Sequence, residues 1–396
     1  MMRKKIYVPV IMYHTIGQPN REWRYSHLTC PYNLFESQLK WLKNKQFHSI
    51  SLKQLYEYMN EGIKIPDNSV VLTFDDGYLD NWVFAYPLLK KYGYTGTIYI
   101  NPDFVEPRNL CRKTLKDVWE NKIELGNLET TGFLSWPELK EMCKDGVMDV
   151  QSHTMTHTQY FKNNTIIDFR HPGDPYIWIT WNNNPDKKPY LQVDNEELVV
   201  YGEPIYEYGK ALEVKRYFPD QNLSKHLTSY VKEMGGKEFF LNPDWKKKLM
   251  GLVESYKKEN ELDDTYETEE EYIKRIMYEL KESKEIIEKK LNTTVNFLCW
   301  PIGGATQKAV NISSEVGYIS STVASDMKRD ERRRKKNTYG EDSSRIYRIG
   351  AGLYRRGMKG YQYNNGILFV LSLYDFQGRK IMGKISKMIL VGITKI

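Results

Sequence analysis

The first 157 residues alternate between short apolar runs and amphipathic segments. Runs rich in β-branched and aromatic residues predict strands over 6–13, 47–52, 70–74, 96–100 and 147–151. Apolar residues at helical spacing predict helices over 32–46, 52–60 and 86–92. Ser135, with Pro137 and Glu138 after it, predicts a further helix start. This alternation predicts an α/β fold, either a parallel sheet or a barrel with helices outside it.

The pattern changes at Thr158. From there to residue 243 the chain is polar and aromatic, and we predict an insertion, either a lid or a small subdomain. Hairpin-like pieces are predicted within it over 177–184 and 190–214. Two helices are predicted next, over 245–258 and 268–291, and the second has the Glu and Lys spacing of a solvated face. A strand over 295–300 restores the first pattern.

These changes predict four parts: residues 1–157 and 244–350 as the two halves of one α/β domain, 158–243 as its insertion, and 351–396 as an extension. Basic and apolar residues alternate over 379–391. That segment is either a terminal helix docked on the domain or a contact with an anionic membrane surface. The charge run at 326–343 predicts a solvated loop rather than a nucleic-acid contact.

Composition narrows the class of protein. The chain has 396 residues, and 13% of them are aromatic, which suits both sugar-binding surfaces and ordinary cores. The net charge of +7 permits anionic partners without requiring them. The four cysteines form no CxxC pair, so no disulfide framework is predicted. The basic start is followed by no small-residue cleavage site, so we expect a cytoplasmic protein, with the inner membrane face as a peripheral location.

Two adjacent carboxylates follow the predicted strand 70–74, in the sequence Thr73-Phe74-Asp75-Asp76-Gly77. Successive side chains of an extended segment point in opposite directions. One carboxylate can therefore bind a metal while the other stays free as a base. The alternative is an ordinary Asp-Asp-Gly surface turn.

Two histidines follow the predicted strand 147–151, with three residues between His153 and His157. Both imidazoles can face one cation, and one added carboxylate makes a three-ligand set with open positions. Thr154 can hold this loop by a local hydrogen bond. Two incidental histidines are the alternative, but the chain has only 7.

A third segment follows the predicted strand 295–300 and reads Trp300-Pro301-Ile302-Gly303-Gly304. Such a turn can aim a backbone N–H at a developing oxyanion. Alone this is a weak signal, because Pro-x-Gly turns are common.

Together the three segments resemble the polysaccharide deacetylases of the NodB-homology type, carbohydrate esterase family 4. Thr73–Gly77 matches the first family motif, TFDDG, and His153–His157 matches the second, H-[S/T]-x-x-H. Cys299–Gly303 matches the third only loosely, since the family prefers Arg first and Tyr after the Pro. The resemblance covers about residues 6–157 and 290–350. It implies a distorted (β/α) barrel of about seven parallel strands, here with an irregular aromatic-rich insertion.

The resemblance also implies a set of site residues. Asp76, His153 and His157 would hold one divalent metal ion, with zinc expected first and cobalt or nickel as alternatives. Asp75 would be the catalytic base.

The third segment would complete the site. The backbone N–H of Ile302 would stabilise the oxyanion, and Pro301 and Trp300 would contact the substrate. Cys299 stands where the family places the Arg that orients the base, and Arg348 is the predicted substitute, with Thr154 as a second supporting residue.

The family's usual C-terminal histidine is missing, because no His lies beyond His226. A subgroup resembling the bacterial poly-N-acetylglucosamine deacetylases carries this histidine on the first strand instead. His14 ends the first predicted strand, so the resemblance implies that it is the general acid. A satisfied core histidine is the alternative.

The expected activity is metal-dependent removal of N-acetyl groups from an amino sugar in a polysaccharide or lipid-linked glycan. Trp178 and Trp181 of the insertion are expected to reach the sugar site. One alternative is an inactive carbohydrate-binding protein on the same fold. Another is a nucleic-acid-binding protein using the run at 332–336, but acidic residues beside that run argue against it.

Overall fold

The computed structural model describes residues 5–190, 196–351 and 366–378. Its elements up to residue 152 are β1 (Val10–Tyr13), β2 (Thr15–Gly17), β3 (Thr29–Pro31), α1 (Tyr32–Asn44), β4 (His48–Ser49), α2 (Leu52–Glu61), β5 (Ser69–Phe74), α3 (Tyr86–Tyr92), β6 (Gly96–Ile100), α4 (Leu115–Trp119), α5 (Trp136–Lys144) and β7 (Met148–Ser152). The predicted helix over 86–92 and strand over 96–100 are confirmed to the residue. Ser135 and Glu138 form the expected capping box.

The later elements begin with β8 (Gln159–Phe169), α6 (Ile177–Asn183), β9 (Pro204–Lys210), β10 (Tyr217–Phe218), α7 (Gln221–Glu233), α8 (Trp245–Glu259), β11 (Thr265–Tyr266), α9 (Glu269–Met277) and α10 (Ser283–Leu291). They end with β12 (Phe297–Leu298), α11 (Gln307–Glu315), β13 (Ser320–Thr322), α12 (Arg329–Arg334), β14 (Arg345–Ile346), β15 (Ile349–Gly350) and α13 (Gly366–Phe376). Short π-helical turns precede α3, at Asn81–Ala85, and join α9 to α10, at Tyr278–Glu282.

A curled parallel sheet forms the centre, in the order β14-β13-β12-β7-β6-β5-β1-β15, with β4 beside β5. Only Tyr347 and Arg348 separate β14 from β15. This single segment pairs in parallel with β13 on one side and with β1 on the other. The sheet therefore closes into a distorted (β/α) barrel of seven strands, with β14 and β15 counted as one and β4 lying outside the ring beside β5. The predicted fold class is confirmed.

Side chains alternate between the two faces of these strands, as strand geometry requires. Val10 and Val71 belong to an inner cluster that α2 helps to fill, whereas Ile11 and Leu72 belong to the larger cluster that includes outer-helix residues. Asp75, directly after β5, continues the inward row of Val71. This alternation places its carboxylate in the barrel mouth.

The insertion differs from the hairpins that its sequence predicted. Residues 177–183 form helix α6, so the predicted hairpin-like piece is wrong. Ile177, Trp178, Ile179 and Trp181 are all buried in one aromatic cluster, so tertiary packing surrounds the first part of this helix. Strand β9 pairs with β8, antiparallel, and among the described residues of 190–214 it is the only strand.

A second small core lies within and beyond the insertion. Leu227 and Val231 of α7 share one cluster with Leu249 and Val253 of α8, and β10 pairs with β11. The predicted boundary at residue 243 therefore falls between two helices that pack together.

The first described element after residue 351 is helix α13, which packs on the barrel. Phe369, Val370 and Leu373 of α13 belong to the main core. A Cβ on Gly366 would lie 2.5 Å from the backbone oxygen of Ser37, so the close approach of α13 to α1 requires glycine there. The basic segment 379–391 lies outside the described residues. Within the described ranges, each helix is too short or too polar to cross a membrane.

Candidate active site

The motif residues meet at one rim of the barrel, where parallel strands end and barrel active sites are built. Asp75 and Asp76 follow β5, His153 follows β7 and Cys299 follows β12. His14 follows β1, and Arg348 lies between β14 and β15.

The three predicted metal ligands lie together. Asp76 Oδ1 is 3.1 Å from His153 Nε2 and 3.3 Å from His157 Nε2. One ligand atom from each residue lies within 4.8 Å of the others. Asp76 Oδ1 is buried and accepts no hydrogen bond from any described residue. An unpartnered carboxylate oxygen beside two imidazole nitrogens fits a divalent cation, and three protein ligands leave open positions for water and substrate.

The orientation of His153 supports the same fit. Its Nδ1 lies 2.8 Å from the backbone oxygen of Cys299. A carbonyl only accepts, so Nδ1 donates, and in the neutral imidazole this leaves the Nε2 lone pair facing Asp76. Metal-binding histidines are commonly held this way. This contact of Cys299 was not predicted from the sequence.

Backbone strain is concentrated in two of the predicted metal ligands and in the loop between the histidines. Asp76, Thr154 and His157 have φ values of 71°, 65° and 46°. This left-handed region is uncommon for residues other than glycine and costs roughly 1–3 kcal/mol per residue. Such conformations persist where the surroundings fix them, which is typical of functional sites.

The pKa values of Asp76 and His157 suit metal binding. The pKa of His153 is shifted the other way, because burial is outweighed by Cys299 and Asp76, which raise it above its usual range. Burial opposes the charge on Asp76, but His157 and His153 outweigh it and hold the pKa of that carboxyl far below its usual range. Burial lowers the pKa of His157 to about 4, with Asp76 opposing the shift. At neutral pH the imidazole of His157 is therefore neutral, as a metal ligand must be.

Asp75 is paired with Arg348 by two hydrogen bonds, of 2.6 Å to Oδ1 and 2.8 Å to Oδ2. Burial opposes the charge of Asp75, but the guanidinium outweighs it and holds the pKa of Asp75 below its usual range. Cys299 Sγ lies 2.9 Å from Arg348 Nη2. Arg348 thus lies where it was predicted to orient the base.

His14 lies at the same mouth, with Nε2 3.9 Å from Asp75 Oδ2 and a quarter of its side chain exposed. Asn81 Nδ2 donates to the backbone oxygen of His14, at 2.8 Å. His14 can therefore contact both solvent and the region of Asp75.

In the third segment, Trp300–Gly304, only some residues lie where the sequence predicted them. Ile302 has a φ of 54°, an outlier for a β-branched residue, and its side chain is 55% exposed. Pro301 lines a cleft together with His157 and Gly304. Trp300 is buried in the main core, so its ring has no free face for the predicted contact with a sugar.

An aromatic cleft adjoins the metal ligands. It is lined by Asp76, His157, Asn101, Tyr25, Tyr78, Phe104, Phe133 and Trp181. Trp181 comes from helix α6, so the insertion contributes to this cleft. Trp178 lies elsewhere in the aromatic cluster, with its ring centroid 5.3 Å from that of Phe161. Of the two predicted tryptophans, one lines the cleft.

Three further residues contact the loop between the two histidines: Asn101, Lys188 and Glu279. Glu279 lies in the helical segment that was predicted to be solvated, yet it is buried. The sequence did carry a signal for it, because Glu279 stands three residues after Ile276 and directly before Leu280, on the apolar side of that helix.

Comparisons with known proteins agree with these motifs. Residues 62–191 match the family model described as polysaccharide deacetylase. The chain is 31% identical over 204 residues to the poly-β-1,6-N-acetyl-D-glucosamine N-deacetylase of Staphylococcus aureus, covering 48% of this chain and 62% of that protein. It is 28% identical over 168 residues to YxkH of Bacillus subtilis, covering 41% of this chain and 56% of that protein. The chain thus spans less than two thirds of either relative.

One solved structure with a similar chain is the BpsB deacetylase domain of Bordetella bronchiseptica. The two share 16% sequence identity, over 87% of this chain and 95% of that one, with a TM-score of 0.47.

Proposed function

We propose that the chain hydrolyses the N-acetyl group of an amino sugar in a glycan, because residues 62–191 match the polysaccharide deacetylase family model. The observation that carries this proposal is the three-ligand set of Asp76, His153 and His157 directly beside the ion pair of Asp75 and Arg348. The products would be acetate and a free amine.

The three ligands would hold one divalent ion, with zinc first and cobalt or nickel as alternatives. When bound, such an ion lowers the pKa of water and polarises an amide carbonyl. Asp75, kept ionised by Arg348, accepts the proton of the attacking water. His14 gives a proton to the departing amine, which leaves poorly as an anion. The backbone N–H of Ile302 donates to the developing oxyanion.

For the substrate we propose a polymer of N-acetylglucosamine. The named activity of the Staphylococcus aureus relative supports this class. The aromatic cleft supports it as well, because aromatic rings offer apolar faces and polar tips to a sugar. Trp181, Tyr25 and Tyr78 line it beside Asp76.

Acetate release tests the proposal. The purified chain is incubated with oligomers of β-1,6-linked N-acetylglucosamine, with β-1,4-linked oligomers and with the free sugar, each with and without a chelator. We expect acetate from the β-1,6 oligomers, loss of activity with chelator and recovery on adding zinc, cobalt or nickel. Full turnover in a metal-free preparation would overturn the metal-dependent mechanism. Tight binding of oligomers by the metal-loaded chain without acetate release would instead identify an inactive carbohydrate-binding protein.

A further inference from the structure

The loop between the two metal-ligating histidines makes few of its hydrogen bonds internally. Thr154 N donates to Ser152 Oγ, at 3.1 Å. Asn101 Nδ2 donates to the backbone oxygens of His153 and Thr154. The backbone N–H of Asp103 donates to the backbone oxygen of Met155, at 3.4 Å. Residues outside the loop therefore fix a backbone that has left-handed conformations at Thr154 and His157.

Glu279 accepts hydrogen bonds from two backbone N–H groups of this loop. It lies in the π-helical turn Tyr278–Glu282 and is 1% exposed. Its Oε2 accepts from the backbone N–H groups of Met155 and Thr156, at 3.1 and 3.0 Å, and its Oε1 accepts from the hydroxyl of Thr156. One carboxylate thus satisfies three donors within two residues of His157. π-Turns are frequent at functional sites.

Lys188 holds the opposite side of Thr156. Its side chain is 3% exposed, and Nζ lies 2.7 Å from Asp103 Oδ2 and 3.3 Å from the backbone oxygen of Thr156. A buried lysine requires such partners. Lys188 belongs to the insertion, in the short 3-10 helix Pro185–Tyr190. The insertion is thereby connected to the residue that precedes His157.

From this geometry we infer that Glu279 and Lys188 are positioning residues for the metal centre, which hold Thr156 from both sides and thereby fix the geometry of His157. The insertion, through Lys188, then takes part in metal binding without supplying a ligand. The inference rests on the proposed metal site of the deacetylase, but it does not depend on which glycan is the substrate.

The test measures metal affinity without substrate. Metal-free full-length chain is titrated with zinc against a chromophoric chelator, and the melting temperature of the metal-free form is recorded for each variant. We expect Lys188→Met to weaken zinc binding by roughly 10–100-fold, the usual effect of losing a partner that orients a ligand. The neighbouring Lys187 is exposed, so Lys187→Met is the matched control and should bind zinc like the wild type.

Glu279 gives a second, chemically different test. Glu279→Gln retains one acceptor oxygen for the two backbone N–H groups, and the hydroxyl of Thr156 can rotate to accept from the new amide. We expect it to keep zinc affinity within a few-fold of the wild type, whereas Glu279→Ala should lose roughly 10–100-fold. The metal-free melting curve shows whether Glu279→Ala folds. If it does not fold, the comparison of Lys188→Met with Lys187→Met still tests the inference.

Wild-type zinc affinity in Lys188→Met would overturn the inference for Lys188, and equal losses in Glu279→Gln and Glu279→Ala would overturn it for Glu279. Failure of the proposed function has a different signature, since the wild-type chain itself would then bind no divalent ion or release no acetate.

Discussion

Asp75 and Asp76 are neighbours in the chain, but their side chains meet different partners. Asp76 Oδ1 lies beside two imidazole nitrogens, whereas both oxygens of Asp75 are held by Arg348. Asp75 continues the alternation of β5, whereas the left-handed backbone of Asp76 turns its side chain towards the two histidines. A ligand and a base can therefore come from adjacent residues.

The first prediction follows from this division. Asp75→Asn should retain zinc, because no metal ligand changes, and should reduce kcat by roughly 10²–10⁴, the usual effect of losing a general base. Metal content and acetate release on the same preparation check it. A variant that loses its zinc yet recovers wild-type turnover when zinc is added back would show that the two roles are reversed.

A second prediction concerns the pKa of Asp75. Burial raises it, and Arg348 outweighs burial. Arg348→Gln removes the largest opposition to burial and leaves only the weaker effects of His153 and His14, so the carboxylate protonates at a higher pH. We expect the acidic limb of the kcat/KM profile to move upward by about 1–3 pH units, the usual influence of an adjacent Arg. Arg345→Gln is the control, because Arg345 forms a buried ion pair with Asp326 instead. Equal profiles for both variants would argue against Arg348 as the orienter of the base.

The third prediction tests His14. His14→Ala should keep its zinc and lose roughly 10²–10⁴ in kcat, because the side chain that gives a proton to the departing amine is missing. His48 is exposed on β4, and His48→Ala should behave like the wild type. Undiminished kcat in His14→Ala would mean that another group protonates the amine.

At the scale of elements, local patterns predicted the barrel well and the insertion poorly. Helix α3 and strand β6 follow from apolar spacing, and α5 from the capping box at Ser135, because these signals lie within a few residues. Helix α6 was not predicted from its local sequence, because its β-branched and aromatic residues favour strands. Burial in the aromatic cluster accounts for its helical form.

The site shows the same difference between local and long-range signals. The proposed ligands Asp76, His153 and His157 stand in short motifs, so residue type, spacing and the family resemblance could identify them as candidates. The contacts of Lys188 and Glu279 with Thr156 span 32 and 123 residues of sequence, and no local pattern reports such a distance.

The fourth prediction separates the two tryptophans of α6. Trp181 lines the aromatic cleft, so Trp181→Ala should raise KM for the glycan by roughly tenfold, equivalent to about 1.4 kcal/mol. Trp178 is buried outside that lining, so Trp178→Ala should cost about 3–5 kcal/mol of unfolding free energy and leave the KM of the folded enzyme unchanged. Urea unfolding and steady-state kinetics of both variants check this. A KM increase confined to Trp178→Ala would reverse the assignment.

In the molecule as a whole, the segment that closes the barrel also supplies a residue of the candidate site. The segment 345–350 that pairs with both β13 and β1 also carries Arg348. Asn337 supports the closure, because its Nδ2 donates to the backbone oxygens of Val8 and Tyr347, at 3.0 and 2.8 Å. Its Oδ1 accepts from Tyr347 N, at 2.9 Å. A fully buried side chain thus links the start of the chain to the residue beside Arg348.

The last prediction uses this link. Asn337→Ala removes three buried hydrogen bonds at net values of about 1 kcal/mol each, so the free energy of unfolding should fall by about 2–4 kcal/mol. It also loosens the backbone next to Arg348, so the acidic limb of the kcat/KM profile should move upward, in the same direction as in Arg348→Gln but by less. Asn121 has a similar left-handed backbone, with φ 55° against 50° for Asn337, but is exposed. Asn121→Ala therefore measures the cost of the backbone conformation alone and should leave the profile unchanged. Denaturant unfolding and pH–rate profiles of the two variants decide the point, since a profile in Asn337→Ala identical to the wild type would show that Arg348 is positioned independently of barrel closure.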